Sequence, residues 1–255
     1  MSAPSMDLSR YRTVVVSPHF DDAALSLGGV LQAAPGPVAV VTVHGGRPPA
    51  GVEVSEWDYD CGFPTAEDAY DTRVREDALA CEALGADQIL LANPDGPYRE
   101  KTEPLVGLDE LVRQVAATAD LYLPAGIDQP DHARVRDQAI AALGTDGGIR
   151  PYFYADLPYT AALPGYADEG GAYLTSPEAW PSEVTELGQR YGHGLDLPRG
   201  VPVTGKLWEA KRRAVLCHAS QLSLVACMDE VAVPRPLLGV DGLLALEVVW
   251  RPSAG

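Results

Sequence analysis

Two short stretches of this 255-residue chain gather the side chains that could do chemistry, and each follows an apolar run. In VVVSPHFDDAALSLGG, residues 14–29, a β-branched run breaks into His19, Asp21 and Asp22. In AGIDQPDHARV, residues 125–135, come Asp128, Gln129, Asp131 and His132. Charged groups at the mouth of a core strand are costly unless partners, water or a metal compensate them. Two imidazoles and a carboxylate brought by separate loops can form a three-ligand zinc site with an open fourth position. Asp21 and Asp22 are neighbours, so on an extended backbone they point apart. One can then bind metal while the other faces a metal-bound water, as a metal-assisted hydrolase requires. Taken singly, Asp22 can equally cap the next helix, and His132 can be an ordinary residue of a first helical turn.

The elements that must position these groups alternate along the chain. Thr13–Ser17 reads as a strand buried on both faces, Ala23–Ala34 as a helix stopped by Pro35 and Gly36, and Val38–Val43 as a second strand. A loop follows from Gly45 to about Pro64. Thr65 then opens a capped helix that ends at Leu84 and Gly85. Gln88–Leu91, Leu121–Leu123 and Tyr152–Ala155 read as further strands, separated by helices over Leu105–Thr118 and Ala133–Leu143. This alternation predicts one α/β domain of three layers, a Rossmann-like, doubly wound, mostly parallel sheet with helices on both faces. Ligands bind beyond the carboxyl ends of such strands, where both stretches lie. Residues 1–12 read as a flexible leader, and residues 157–205, rich in Pro, Gly and Tyr, as a long surface excursion of the lid or wall type. A helix near Lys206–Gln221 and a strand near Leu243–Trp250 close the chain.

Composition works mainly by exclusion. A formal net charge of −17 argues against nucleic acid and anionic membranes as partners. The N-terminus lacks the apolar core of a signal peptide, and no apolar run approaches the ~20 residues that span a bilayer. Cys61, Cys81, Cys217 and Cys227 are widely spaced without a CxxC pair, which suits reduced thiols in a cytoplasmic protein. The expected partner is a small-molecule substrate, and self-association into a homo-oligomer is left open.

Together the motifs carry a resemblance. SPHFDDAALSLGG looks like the AHPDD-type motif of the PIG-L/LmbE-like zinc-dependent N-deacetylases, and QPDHARV is similar to that family's HPDHxxV. Arg73 to Glu76 with the following ALACEALGA matches its RxxE helix, NPDG at 93–96 its third-strand turn, and KRRAVLCHASQL at 211–222 its late helix. The resemblance implies a zinc hydrolase that removes an acetyl or other acyl group from an amino sugar or a sugar-containing natural-product intermediate. It implies His19, Asp22 and His132 as metal ligands, Asp21 as general base, Asp131 as the carboxylate that orients His132, and Arg73 and Asp95 as contacts to substrate hydroxyls.

Three positions depart from the pattern. Phe20 and Ala23 replace the Pro and Glu of the HPDDE form, and Gln129 stands where the second motif carries a histidine. A glutamine amide can donate a hydrogen bond to an oxyanion but cannot release a proton at neutral pH, so both proton transfers fall to Asp21. Elsewhere, His44 ends the second strand and is read either as a substrate contact or as a local loop hydrogen bond. His193 reads as a solvated loop residue, His218 as packing or support in the late helix, and the acidic stretch Glu53–Asp60 with Trp57 as a solvated loop whose position after the second strand leaves a substrate-facing role open. The aromatics Tyr152, Phe153, Tyr154, Tyr159, Tyr166, Tyr173, Trp180 and Tyr191 can wall a sugar or aryl pocket, or simply pack. The competing readings are an amidase for another amide and a non-catalytic metal-binding homologue. A dinucleotide-binding oxidoreductase is rejected, because no GxGxxG follows the first strand.

Overall fold

The computed structural model describes residues 7–100, 102–115, 117–144, 149–163, 165, 170–190, 194–226 and 237–253. Tyr166, Tyr191, His193 and Cys227 lie outside the described residues. The strands are β1 (Thr13–Ser17), β2 (Val38–Thr42), β3 (Ala86–Leu90), β4 (Asp120–Pro124), β5 (Tyr152–Tyr154), β6 (Arg199–Pro202) and β7 (Leu246–Trp250). They form one sheet in the order β3-β2-β1-β4-β5-β7-β6. β1 to β5 run parallel, with Thr13 opposite Val38 on one side and Asp120 on the other. β7 is antiparallel to both β5 and β6. From β1 the chain winds outward through β2 and β3, then restarts on the other side with β4. Such a reversal opens a crevice at the carboxyl ends of β1 and β4.

Because side chains alternate across a strand, the two faces of β1 feed two cores. Val14 and Val16 pack with Leu108, Leu111 and Val112 of α4 (Leu108–Gln114) and with Val135 and Ala139 of α5 (Pro130–Leu143). Val15 faces the opposite layer, built from α1 (Asp22–Ala33), α3 (Ala66–Leu84, after the short α2, Glu56–Asp60) and a late helix, Gly205–Cys217. The expected three-layer α/β/α domain is therefore present. α3 begins and ends as its sequence predicts: the Thr65 hydroxyl accepts from the Asp68 N–H, and Gly85 takes the left-handed conformation that ends helices cheaply.

Three expectations change. The segment 7–12 is packed rather than loose, with Leu8 and Tyr11 buried in the first core. The excursion 157–205 contains an amphipathic helix, α6 (Ser182–Arg190), and the edge strand β6. Val184 and Leu187 of α6 join the main core, so this stretch is part of the body of the domain. The late helix breaks at His218 into α7 (Gly205–Cys217) and α8 (Ala219–Ala226). Among the described residues, no helix is long and apolar enough to cross a membrane.

Candidate metal centre and active site

The turn from β1 into α1 is laced so that one carboxylate is used and its neighbour is left free. The Ser17 hydroxyl donates to the His19 carbonyl at 2.7 Å and accepts from the Ala23 N–H at 3.1 Å. Asp22 Oδ2 accepts from the His19 N–H at 2.7 Å. Asp21, not Asp22, occupies the N-cap, and its side chain makes no capping hydrogen bond. Asp21 lines a cavity of about 260 Å³ at the carboxyl edge of the sheet. Burial and the adjacent Asp22 carboxylate push its carboxyl up to about 6.

The second stretch is positioned by the start of α5. Gln129 is the N-cap, and its Oε1 accepts from the Asp131 N–H at 2.6 Å and the His132 N–H at 3.3 Å. Gly126, with φ of 73°, permits the tight turn beneath it: a Cβ there would lie 2.6 Å from the Ala133 Cα. His132 is completely buried. Its Nε2 lies 3.2 Å from Asp22 Oδ2 and 3.2 Å from His19 Nδ1, and His19 Nδ1 lies 3.4 Å from Asp22 Oδ2.

That triangle is the fit test for a metal. Ligands about 2.0–2.1 Å from a tetrahedral ion stand roughly 3.3 Å apart, and the nitrogen and oxygen set is one zinc accepts. The other ring nitrogens are held by carboxylates, fixing which nitrogen faces inward. His132 Nδ1 lies 2.7 Å from Asp156 Oδ1, and His19 Nε2 lies 3.3 Å from Asp95 Oδ1. Burial disfavours charge on His132, but Asp22 and Asp156 outweigh it and push the ring up to about 9. Burial likewise opposes charge on His19, and Asp95 and Asp22 again prevail. The same interactions hold Asp22 and Asp95 far below the ordinary carboxylate range despite their burial. The pocket thus draws positive charge, and a divalent cation at the triangle fits it.

The structure brings His19, Asp21, Asp22, His44, Arg73, Asp95, Gln129 and Asp131 to this one cavity, with His132 directly beneath. One role changes. Asp131 does not orient His132, because adjacent helical residues point about 100° apart. Its carboxylate faces His19 Nε2 at 3.9 Å, and the buried Nδ1 of His132 meets Asp156 at the end of β5 instead. Asp156 Oδ2 also accepts from the N–H groups of Gly126 at 2.8 Å and Ile127 at 3.1 Å, tying β5 to the loop that carries the site.

Arg73 is buried and pairs with Asp58, which also accepts from the Tyr98 hydroxyl. The stretch Glu53–Asp60 is therefore no solvated loop: it carries α2, capped by Ser55, and puts Trp57 on the cavity wall. His44 makes the local loop hydrogen bond, one of its two readings. Its Nδ1 lies 3.1 Å from the Pro94 carbonyl, and its ring stacks on His19 with centroids 5.2 Å apart. Burial and the neighbouring His19 hold it down to about 4, so it is neutral. His218 is buried and held down to about 4 by that burial, in keeping with packing at the α7–α8 break. Glu76 of the RxxE segment accepts from the Ser220 N–H at 2.9 Å and the Ser220 hydroxyl at 2.6 Å, joining α3 to α8.

Sequence reasoning left Asp156 and Gln221 without roles, gave Asp58 and Trp57 only as part of a stretch that could face substrate, and gave Tyr159 only as one of many aromatics. Tyr159 lines the cavity with its ring edge-on to His132, centroids 5.2 Å apart and planes at 82°. Burial, with the carboxylates of Asp22 and Asp21, pushes its phenol well above the ordinary range, against the easing effect of the adjacent Gln129 side chain. One available signal was the placement of Asp156 just past the fifth strand, at the same edge as both motifs.

Residues 14–143, just over half of the chain, match the family described as PIG-L: GlcNAc-PI de-N-acetylase. The chain belongs to the PIG-L family. No curated protein matches it significantly. Among solved structures, the A40926 pseudoaglycone deacetylase Dbv21 is 25% identical with a TM-score of 0.65, covering 97% of this chain and 100% of that one. A triple mutant of the deacetylase of the teicoplanin biosynthetic pathway is 24% identical with a TM-score of 0.66, covering 94% and 97%. The 4-carboxy-2-hydroxymuconate hydratase GalB of Pseudomonas putida shares the fold at 18% identity and a TM-score of 0.56, covering 96% and 98%. A hydratase on this scaffold shows that the fold alone does not set the reaction, which has to be argued from the site.

Proposed function

We propose that this chain is a zinc-dependent hydrolase that removes an acetyl or related acyl group from the nitrogen of an amino sugar, in an intermediate of natural-product assembly. One observation carries the reading: Asp21, free of capping duty, shares a cavity with the triangle of His19 Nδ1, Asp22 Oδ2 and His132 Nε2. Family membership and the resemblance to glycopeptide deacetylases support the sugar-linked amide as substrate.

His19, Asp22 and His132 would hold the metal, which when bound supplies Lewis-acid polarisation of a carbonyl and acidifies a water. Asp21 takes one proton from the attacking water and delivers it to the amide nitrogen. Water adds to the acyl carbon, the C–N bond breaks, and an amine and a carboxylic acid leave, the acid then losing its remaining proton to solvent. The capping bond fixes Gln129 with its carbonyl turned to the backbone, which leaves its NH2 as a donor toward the acyl oxygen. Asp95, Arg73 and His44 line the side where sugar hydroxyls would sit, and Trp57 offers an apolar wall for a ring face. Asp131, beside His19 Nε2, helps fix the ligand ring from the first turn of α5. The free thiols of Cys61, Cys81 and Cys217 support a reducing, cytoplasmic setting.

The test is amine release by the zinc-loaded protein from N-acetylglucosamine glycosides and N-acylglucosaminyl glycopeptide pseudoaglycones. Release from these and not from peptide-like amides is expected. Cleavage of the latter alone would favour the amidase reading that Ala23 and Gln129 prompt. No release from either, with zinc bound, would overturn hydrolysis.

A further inference from the structure

The position that carries histidine in the resembling motif holds Gln129 here, and half of its amide is already committed to the start of α5. Beside its side chain on the cavity wall is Tyr159, from the 3-10 turn Tyr159–Ala162 that follows β5. This turn is anchored where the metal centre is anchored. The Thr160 N–H and hydroxyl both donate to the Asp156 carbonyl at 2.8 Å, while the Asp156 carboxylate holds His132. The Leu157 N–H donates to the Ser26 hydroxyl of α1 at 3.0 Å, fixing the turn from its other side. The Tyr159 ring is thus set edge-on to a ligand ring by the residue that orients that ligand. A hydrogen bond worth having in a transition state needs such a preorganised donor beside the reacting carbonyl.

We infer that Tyr159 is a catalytic residue whose hydroxyl, with the Gln129 amide, donates to the oxygen of the acyl group as negative charge develops there. The inference rests on the hydrolase reading. The phenol keeps its proton throughout: it donates a hydrogen bond, while the transferred proton travels from water through Asp21 to the amine. Together a phenol and an amide supply two neutral donors where the resembling motif carries a histidine.

Tyr159→Phe removes the hydroxyl and keeps the ring against His132. The zinc-loaded variant is expected to bind wild-type amounts of metal, to hold KM within about threefold, and to lose roughly 10²-fold in kcat, the usual cost of one oxyanion donor. A readout independent of turnover is calorimetric binding of methylphosphonate, a tetrahedral anion that mimics the acyl centre. Its affinity should fall about tenfold in Tyr159→Phe, while Tyr122→Phe, altered outside the cavity, binds as wild type. Equal phosphonate affinity and unchanged kcat would overturn the role, and so would a kcat loss matched by lost metal. If the wild-type protein hydrolyses none of the amides, the proposed function falls, and the phosphonate comparison still decides whether Tyr159 is a donor to a tetrahedral oxyanion.

Discussion

Two buried charged clusters in this molecule look alike by composition and differ in what they leave unsatisfied. Lys211 and Glu247 are both fully buried, with Lys211 Nζ 2.7 Å from Glu247 Oε1. The remaining demand of Glu247 is met by the N–H groups of Gly29 at 2.7 Å and Val30 at 2.8 Å. One cation meets one anion, and both carboxylate oxygens of Glu247 accept hydrogen bonds. At the mouth of β1, Asp21, Asp22, Asp95 and Asp156 surround two imidazoles, and inward-facing nitrogens of the two rings stand 3.2 Å apart. Negative charge exceeds positive, and the His19, Asp22 and His132 ligand atoms converge to within 3.2–3.4 Å of one another. Burial of charge alone therefore does not mark a site: the Lys211–Glu247 pair is a closed ionic rivet between α7, α1 and β7, whereas the β1 cluster is open to a cation.

The largest expected effect falls on the open cluster. Asp21→Asn should keep its metal, measured by elemental analysis, and lose about 10³-fold in kcat, within the range of a general base. Turnover near wild type would remove Asp21 from the mechanism. The closed cluster should respond in stability and not in metal. Lys211→Ala strands Glu247 in the core, at a cost of roughly 3–5 kcal/mol in denaturant unfolding, and leaves zinc affinity unchanged. Replacing both partners, Lys211→Met with Glu247→Leu, should recover most of that loss. A double variant as unstable as Lys211→Ala would mean that the Gly29 and Val30 contacts, not the ion pair, make the rivet.

The same contrast explains what the sequence disclosed. β1 and β2 were legible to within a residue because they are β-branched runs bounded by Pro, Gly or charge. The ligand trio was legible because two motifs sit at strand ends, where this fold class binds ligands. Asp156, Asp58 and Tyr159 were hidden for a shared reason: each acquires its partner through tertiary packing. Asp156 lies two residues beyond a three-residue strand, in an irregular stretch, and nothing local reveals that His132 packs against it. Asp58 sits in a five-residue helix too short to show a period, inside a stretch whose acidity reads as solvated. Asp131 was misassigned for the converse reason, since adjacency in sequence on a helix turns two side chains apart.

A smaller effect sharpens the open cluster from below. Asp156→Asn keeps size and shape but sets an NH2 against either the His132 ring N–H or the backbone N–H groups of Gly126 and Ile127. Zinc affinity, followed by competition with a chelator, should weaken about 10–100-fold, as for other carboxylates behind metal-bound imidazoles. An unchanged affinity would show that packing alone orients His132.

The smallest effects come from titrating Asp21. Its carboxyl is raised from 3.8 to about 6 by burial and by Asp22, so the basic form is lost as pH falls through that region. A cation at the triangle lowers the value, which places the acidic limb of kcat/KM at or below about pH 6. In the metal-free protein the raised value carries a stability cost. The ionised carboxylate disfavours the folded state above pH 6, the cost fades as pH falls toward 3.8, and below that both states are protonated. Asp21→Asn in metal-free protein should therefore melt slightly higher than wild type at pH 7, and the gain should vanish near pH 4. A gain that persists at pH 4 would trace to packing. A loss at pH 7 would mean that Asp21 is held by partners like those of Glu247, and that the two clusters are more alike than their geometry says.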